Sequence, residues 1–260
     1  MKFLAERRRH PMALVVLLLV GLLFTGGAYA LFTGGSDANA DEYSADQIDA
    51  GQKLFVTNCA TCHGMNAEGT ENGPSLIGVG ASAVDFQVGT GRMPLQMHGP
   101  QAPVKAAQFD QDEIDDMAAY VASLGPGPAI PDAEYLDASK GDAAAGGGLF
   151  RTNCAMCHNV VGAGGALTRG KYAPNLSEVS ERHLYEAMQT GPQNMPIFND
   201  ANLTPEDKRD IIAYIEDTKK PSPGGFKLGA LGPVAEGLFI WFFGLSAVVG
   251  ITVWLTARSK

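Results

Sequence analysis

Two uncharged apolar runs bracket this 260-residue chain, Met12 to Phe32 and Leu238 to Ala257. Each is long enough to cross a bilayer core as a helix, which takes about 20 residues. Arg7-Arg8-Arg9 precedes the first run, and Arg258 and Lys260 follow the second. The positive-inside rule therefore places both termini in the cytoplasm and everything between the runs on the far side of the membrane. Trp241 and Trp254 fit near the two ends of the second span. For the first run a cleaved signal peptide stays open, because Ala38-Asn39-Ala40 has the small-residue form of a cleavage site.

Between the runs the pattern is helical, with no alternating strand run or hairpin. Ser44-Ala45-Asp46 starts a segment with apolar Ile48, Leu54 and Phe55. Asp110 to Glu113 opens another, where Ile114, Met117, Ala118 and Val121 recur at helical spacing and the acids suit the helix dipole. Thr204-Pro205 reads as N-cap and first helical residue of a third, with Ile211, Ile212 and Ile215 on its buried face. Tyr120 and Tyr214 are expected against Phe55 and Phe150. Gly125 to Pro131, Gly146-Gly147-Gly148 and Pro221 to Gly225 are dense enough in Gly and Pro to break helix and strand, and predict linkers or packed straps.

A repeat organises the helices. Shifted by 95 residues, Gly51, Leu54, Phe55 and Thr57-Asn58 fall on Gly146, Leu149, Phe150 and Thr152-Asn153. Gly73-Pro74, Arg92-Met93-Pro94 and Ala119-Tyr120 recur as Ala173-Pro174, Asn194-Met195-Pro196 and Ala213-Tyr214. The chain divides into a basic flank and first span (1–36), a unit at 42–124, a linker at 125–139, a second unit at 140–219, a linker at 220–236, a second span at 237–257 and a tail at 258–260. Units of about 80 residues lie near the lower size for an independent core.

At matching positions stand Cys59-Ala60-Thr61-Cys62-His63 and Cys154-Ala155-Met156-Cys157-His158, which use all four cysteines. Cys-X-X-Cys-His is the attachment motif of c-type haem. Two thiols add to the haem vinyl groups, and the histidine becomes an axial ligand of the iron. A zinc site needs further ligands that no second cysteine pair provides, and a redox disulfide has no use for the trailing histidine. The chain is thus expected to hold two covalent haem c groups, with His63 and His158 on iron.

Met93 and Met195 are the expected opposite ligands, each before a proline that keeps its neighbour extended. Met97 and His98 are the alternatives in the first unit, and Met188 in the second. A thioether stabilises ferrous iron and raises the potential. Pro74 and Pro174 are expected to offer carbonyls to the Nδ1–H of the two histidines. His183 reads as a helix-surface residue, and His10 as part of the basic flank. Iron with six ligands leaves no substrate position, which points to electron transfer, and no catalytic constellation stands elsewhere. The net charge of −9, concentrated between the spans, disfavours nucleic acid and anionic lipid surfaces. It suits a positively charged redox partner or an ordinary soluble surface. Asp110 to Asp116 reads as a solvated helix face.

The two units resemble class I cytochrome c domains: a helix ending in Cys-X-X-Cys-His, a proline loop, a methionine loop and a C-terminal helix with Ala-Tyr. The expected fold class is mainly α, two such domains in tandem between an N-terminal and a C-terminal transmembrane helix. The order of parts, with Gly191-Pro192-Gln193-Asn194-Met195-Pro196 and Gly232-Pro233-Val234-Ala235-Glu236-Gly237, resembles the di-haem cytochrome c subunits of actinobacterial cytochrome bcc complexes. That resemblance implies cytochrome b and Rieske iron–sulfur subunits as partners, within a quinol–cytochrome c reductase of the translocase class. It also implies delivery of electrons to the copper-containing subunit of a haem-copper oxidase in a supercomplex. A di-haem acceptor for a periplasmic dehydrogenase and a di-haem peroxidase are the competing readings. The peroxidase would need one iron without a sixth ligand.

Overall fold

The computed structural model describes residues 11–32, 43–220 and 233–257. The chain forms two compact units, residues 1–37 and 38–260. The described part of the first is one helix, α1 (Pro11–Phe32). Its uniformly apolar stretch is Met12–Gly27, shorter than a full span. His10, Ala38–Ala40 and the Pro221–Gly225 linker lie outside the described residues.

The second unit holds both haem motifs. Its first half is built on α2 (Ala45–Asn58), α3 (Gly80–Gly89) and α4 (Gln111–Ser123). Its second half repeats the plan with α5 (Ala143–Asn153), α6 (Glu181–Thr190) and α7 (Pro205–Lys219). Helix starts follow the polar signals. Ser44 with Gln47, Asp110 with Glu113 and Thr204 with Asp207 form reciprocal capping boxes, and Pro205 sits in the first turn of α7. In each half the first and last helices cross, and their aromatic residues meet at the crossing. Phe55 lies 5.2 Å from Tyr120, and Phe150 lies 5.3 Å from Tyr214, centroid to centroid.

The glycine triplet does not break the chain. α5 runs through Gly146-Gly147-Gly148, started by Asp142, whose carboxylate accepts from the Ala144 and Ala145 amides. The backbone of Asp210 on α7 passes so close that a Cβ on Gly146 would stand 1.8 Å from the Asp210 carbonyl oxygen. Gly51 makes the same approach to Asp116, at 1.9 Å. Here glycine marks helix crossing, and tertiary contact outweighs its poor helix propensity. The Gly125–Pro131 stretch is a packed strap: Ala129 and Ile130 join the first core, and the Pro128 carbonyl accepts from the Ser82 amide at 3.1 Å.

One strand pair departs from the helical expectation. β1 (Gly165–Ala166) pairs antiparallel with β2 (Tyr172–Ala173). Two residues a side carry no periodicity that a sequence pattern can reveal. The C-terminal helix α8 comprises Pro233–Phe239, a π-type turn Ile240–Gly244 and Leu245–Thr256. Among the described residues its stretch Glu236–Thr256 is the one helix long and apolar enough to cross a membrane.

The two halves pack together through α3 and α6. Asp85, 1% exposed, forms an ion pair with Arg182, whose Nε lies 2.8 Å from it and 3.3 Å from Glu186, which is fully buried. Gln111 donates to Asp85 at 2.8 Å, Arg182 Nη2 reaches Asp115 at 3.5 Å, and Ser82 donates to Gln189 at 3.2 Å. The Asp110–Asp116 face is therefore not wholly solvated, since Asp115 takes part in the contact. His183 is likewise not a surface residue. Its side chain is 22% exposed, sits edge-on to Phe86 at 6.0 Å, and approaches Asp85 at 3.8 Å. The other domain covers the helix face that would otherwise meet water.

Candidate functional site

Each motif occupies the short helical turn that follows the first helix of its half, Ala60–His63 after α2 and Ala155–His158 after α5. The turn continues the helix closely enough that the His63 amide donates to the Cys59 carbonyl at 3.0 Å, and the His158 amide to Cys154 at 2.9 Å. Both cysteines and the histidine of each motif are thereby fixed on one small segment.

The histidines are oriented as the proline positions anticipated. His63 Nδ1 lies 2.7 Å from the Pro74 carbonyl, and His158 Nδ1 lies 3.1 Å from the Pro174 carbonyl. A carbonyl oxygen only accepts, so the proton of each neutral ring sits on Nδ1. Nε2 then keeps its lone pair, which is the tautomer needed for iron ligation. Burial lowers the His158 pKa, and the Pro174 bond partly opposes this. The ring is held neutral and ready to bind a metal.

The cysteines show the opposite tendency. Burial, followed by the neighbouring sulfur, pushes the Cys59 and Cys154 thiols up to about 11. A thiol-disulfide catalyst needs a depressed thiol pKa, and burial moves Cys59 and Cys154 the other way.

In the second half a cavity of about 860 Å³ opens beside Cys154, Cys157 and His158. Leu176, Leu184, Met188, Phe198 and Ile211 supply apolar wall, and Met195 lines it as well. A tethered planar group with an apolar face and a ligating metal fits that lining. In the first half Met93 and Cys59 pack against one apolar cluster with Phe55 and Ala67. Met195 and Cys154 share the corresponding cluster in the second. Met97 and His98 are exposed, whereas Met188 is buried and lines the cavity beside Met195.

Sequence reasoning missed the interdomain residues. Phe86, Arg92, Gln101 and Lys105 belong to the first half and yet line the cavity of the second. Gln101 pairs with the Tyr172 backbone in both directions, accepting at 2.9 Å and donating at 3.0 Å. The available signal was weak: a lone acid, Asp85, in a helix with no other charged residue. Asp85, His183 and Glu186 also have the residue types of a metal site, but Arg182 already supplies the positive charge between the two acids.

Two attachment turns and two pre-oriented imidazoles define the class: a di-haem c-type cytochrome, carrying two covalent haem c groups and transferring electrons. Comparison with known proteins agrees. Residues 48–125 match the family described as cytochrome c, and residues 141–215 match cytochrome c oxidase, cbb3-type, subunit III. A Mycobacterium tuberculosis protein named cytochrome bc1 complex cytochrome c subunit is 46% identical over 262 residues, covering 98% of this chain and 94% of its own. Proteins of the same name from Corynebacterium efficiens and Corynebacterium diphtheriae are 44% and 42% identical. They cover 98% and 99% of this chain and 92% and 98% of their own. The chain belongs to the family of cytochrome bc1 complex cytochrome c subunits.

Proposed function

We propose that this chain carries electrons from the Rieske centre of a quinol-oxidising bc complex, through two haems in series, to a haem-copper terminal oxidase. Residues 42–124 and 140–219 are the two haem domains. Cys59, Cys62, Cys154 and Cys157 bind the haems, and His63 with Met93 and His158 with Met195 are the axial pairs. The haem supplies a one-electron ferric–ferrous couple. The chain's own residues would hold it, with the Pro74 and Pro174 carbonyls fixing the imidazoles.

The observation that carries this reading is the duplicated histidine–carbonyl geometry on a motif that also appears twice. Serial transfer is favoured because the domains are locked by the Asp85–Arg182 ion pair and the Gln101–Tyr172 bonds. α1 and α8 both span the membrane in this reading, with the haem domains on the extracytoplasmic side and both termini in the cytoplasm. Partners are the cytochrome b and Rieske subunits and the copper-containing subunit of the oxidase.

The test is purification of the C-terminally tagged chain from membranes in mild detergent, followed by reduced-minus-oxidised spectra. Co-purifying b-type and a-type haem, with quinol-driven oxygen uptake, is the expected result. Only c-type haem together with a soluble dehydrogenase would replace this reading by an acceptor subunit of that dehydrogenase.

A further inference from the structure

The first domain closes the crevice of the second haem, and it does so with a cation that lacks an anion. Arg92 lines the cavity that contains Cys157 and His158. It is 6% exposed, and its Nε is buried without a hydrogen-bond partner. The face of Phe86 lies 4.7 Å from the guanidinium carbon. A cation–π contact offsets only part of the cost of burying a charge. The cavity's other long-chain cations are engaged. Lys105 Nζ donates to the Pro94 carbonyl at 3.0 Å, and Lys171 Nζ donates to Asn194 at 2.7 Å. Among the described lining residues Glu178 is the one carboxylate, and no ion pair joins it to Arg92.

A haem brings two carboxylates of its own. Its propionates stand on the edge of the macrocycle opposite the carbons that the cysteines take. We propose that Arg92, from the first domain, binds a propionate of the second haem, the one tethered by Cys154 and Cys157. This rests on the haem reading given above. Arg is suited to the task because its planar fork meets a carboxylate with two parallel bonds. Gln101 holds the same wall in place through the Tyr172 backbone.

Two consequences follow. Arg92 directly precedes Met93, so the segment that serves the first iron also serves the second haem. A fixed cation at the propionate edge favours the ferrous form and raises the potential of the second haem. That is the direction that draws electrons from the first haem to the second.

The test is redox titration of the full chain in detergent. Met195→His marks the second haem by lowering its wave. Adding Arg92→Gln is expected to lower that marked wave further and leave the other in place. A marked wave that does not move, or movement of the other wave alone, would overturn the assignment to the second haem. Resonance Raman supplies a second readout, since the propionate bending band reports the hydrogen bonds to the carboxylate. If Met195→His marks no wave, the methionine reading fails by itself, and Arg92→Gln is decided by that band: a shift supports the proposal and an unchanged band defeats it. Should Arg92→Gln not accumulate as haem-loaded protein, Arg92→Lys keeps the charge but not the fork. It is expected to shift the band with a smaller change in potential, and an unmoved band would defeat the proposal.

Discussion

Replacing Gly146 by alanine tests whether the helix crossing of the second domain sets its stability. The new Cβ would lie 1.8 Å from the Asp210 carbonyl oxygen and 2.2 Å from its carbon. An ordinary carbon–oxygen approach is about 3.3 Å, so α5 and α7 must part locally by roughly 1.5 Å. The atoms it meets are backbone, and no side chain can swing away to relieve the clash. A gap of 0.5–1 Å already forfeits about a quarter to a half of a van der Waals contact. Phe150, Ile211, Ile212 and Ile215 pack across the crossing and are each no more than 3% exposed. Burial stabilises such side chains by about 2 kcal/mol each, so a partial loss over four of them costs about 2–4 kcal/mol. For a domain of this size that corresponds to roughly 10–25 °C in Tm. Gly148, two residues along the same helix, provides the control. A Cβ there meets nothing within 4 Å, and Ala is favoured over Gly in a helix by about 1 kcal/mol. The assay is thermal unfolding of the full chain in detergent, followed through c-haem absorbance at equal haem loading. A Gly146→Ala variant as stable as wild type, or as much affected as Gly148→Ala, would refute the close-crossing argument.

Further predictions concern the haems and the domain contact. Cys59→Ala with Cys62→Ala should halve the c-type haem per chain by pyridine haemochrome assay, and two retained haems would contradict the attachment assignment. Met93→His alone should lower one potential and leave the other nearly unchanged; two unmoved waves would exclude Met93 as a ligand. Burial, then the hydrogen bond and charge of Asp85, raise the Glu186 pKa to about 10 against Arg182, which lowers it. Below its ordinary value of 4.5 the group is neutral in both states and costs nothing through ionisation. As pH rises above that value the unfolded carboxyl ionises while the folded one keeps its proton, so wild-type stability falls toward pH 10. Glu186→Gln, facing the same Asp85, Arg182 and His183, removes that slope. Denaturation at pH 5 and pH 8 should show the variant gaining on wild type at the higher pH, and an equal difference at both would count against a protonated Glu186.

The repeat made the architecture legible. Gly51 and Gly146, Phe55 and Phe150, and Tyr120 and Tyr214 stand at equivalent positions because each pair meets the same packing demand, and the structure shows both crossings. The prolines were legible for the same reason: Pro74 and Pro174 keep a fixed order relative to a motif whose chemistry needs an oriented imidazole. What stayed hidden lies between the repeats. Arg182, His183 and Glu186 sit on α6 at spacings that suit a solvated helix face, and only the arrival of α3 converts that face into a buried one. Asp85 and Arg92 serve the same contact from the other side, through neighbours about 100 residues away, and local patterning does not record a contact at that separation. The Gly146-Gly147-Gly148 triplet misled for a related reason: its backbone preference points to a loop, and the demand that decides its conformation comes from Asp210 and Tyr214 on another helix.

Series transfer through both haems is tested most directly in the purified complex by quinol-driven oxygen uptake of a Cys154→Ala, Cys157→Ala chain beside a Cys59→Ala, Cys62→Ala chain, with stopped-flow detection of c-haem reduction. Two haems in series predict that removing either one abolishes oxygen uptake, while quinol still reduces the remaining haem in just one of the two variants and so identifies the entry side. Oxygen uptake near the wild-type rate in either single-haem chain would contradict the series.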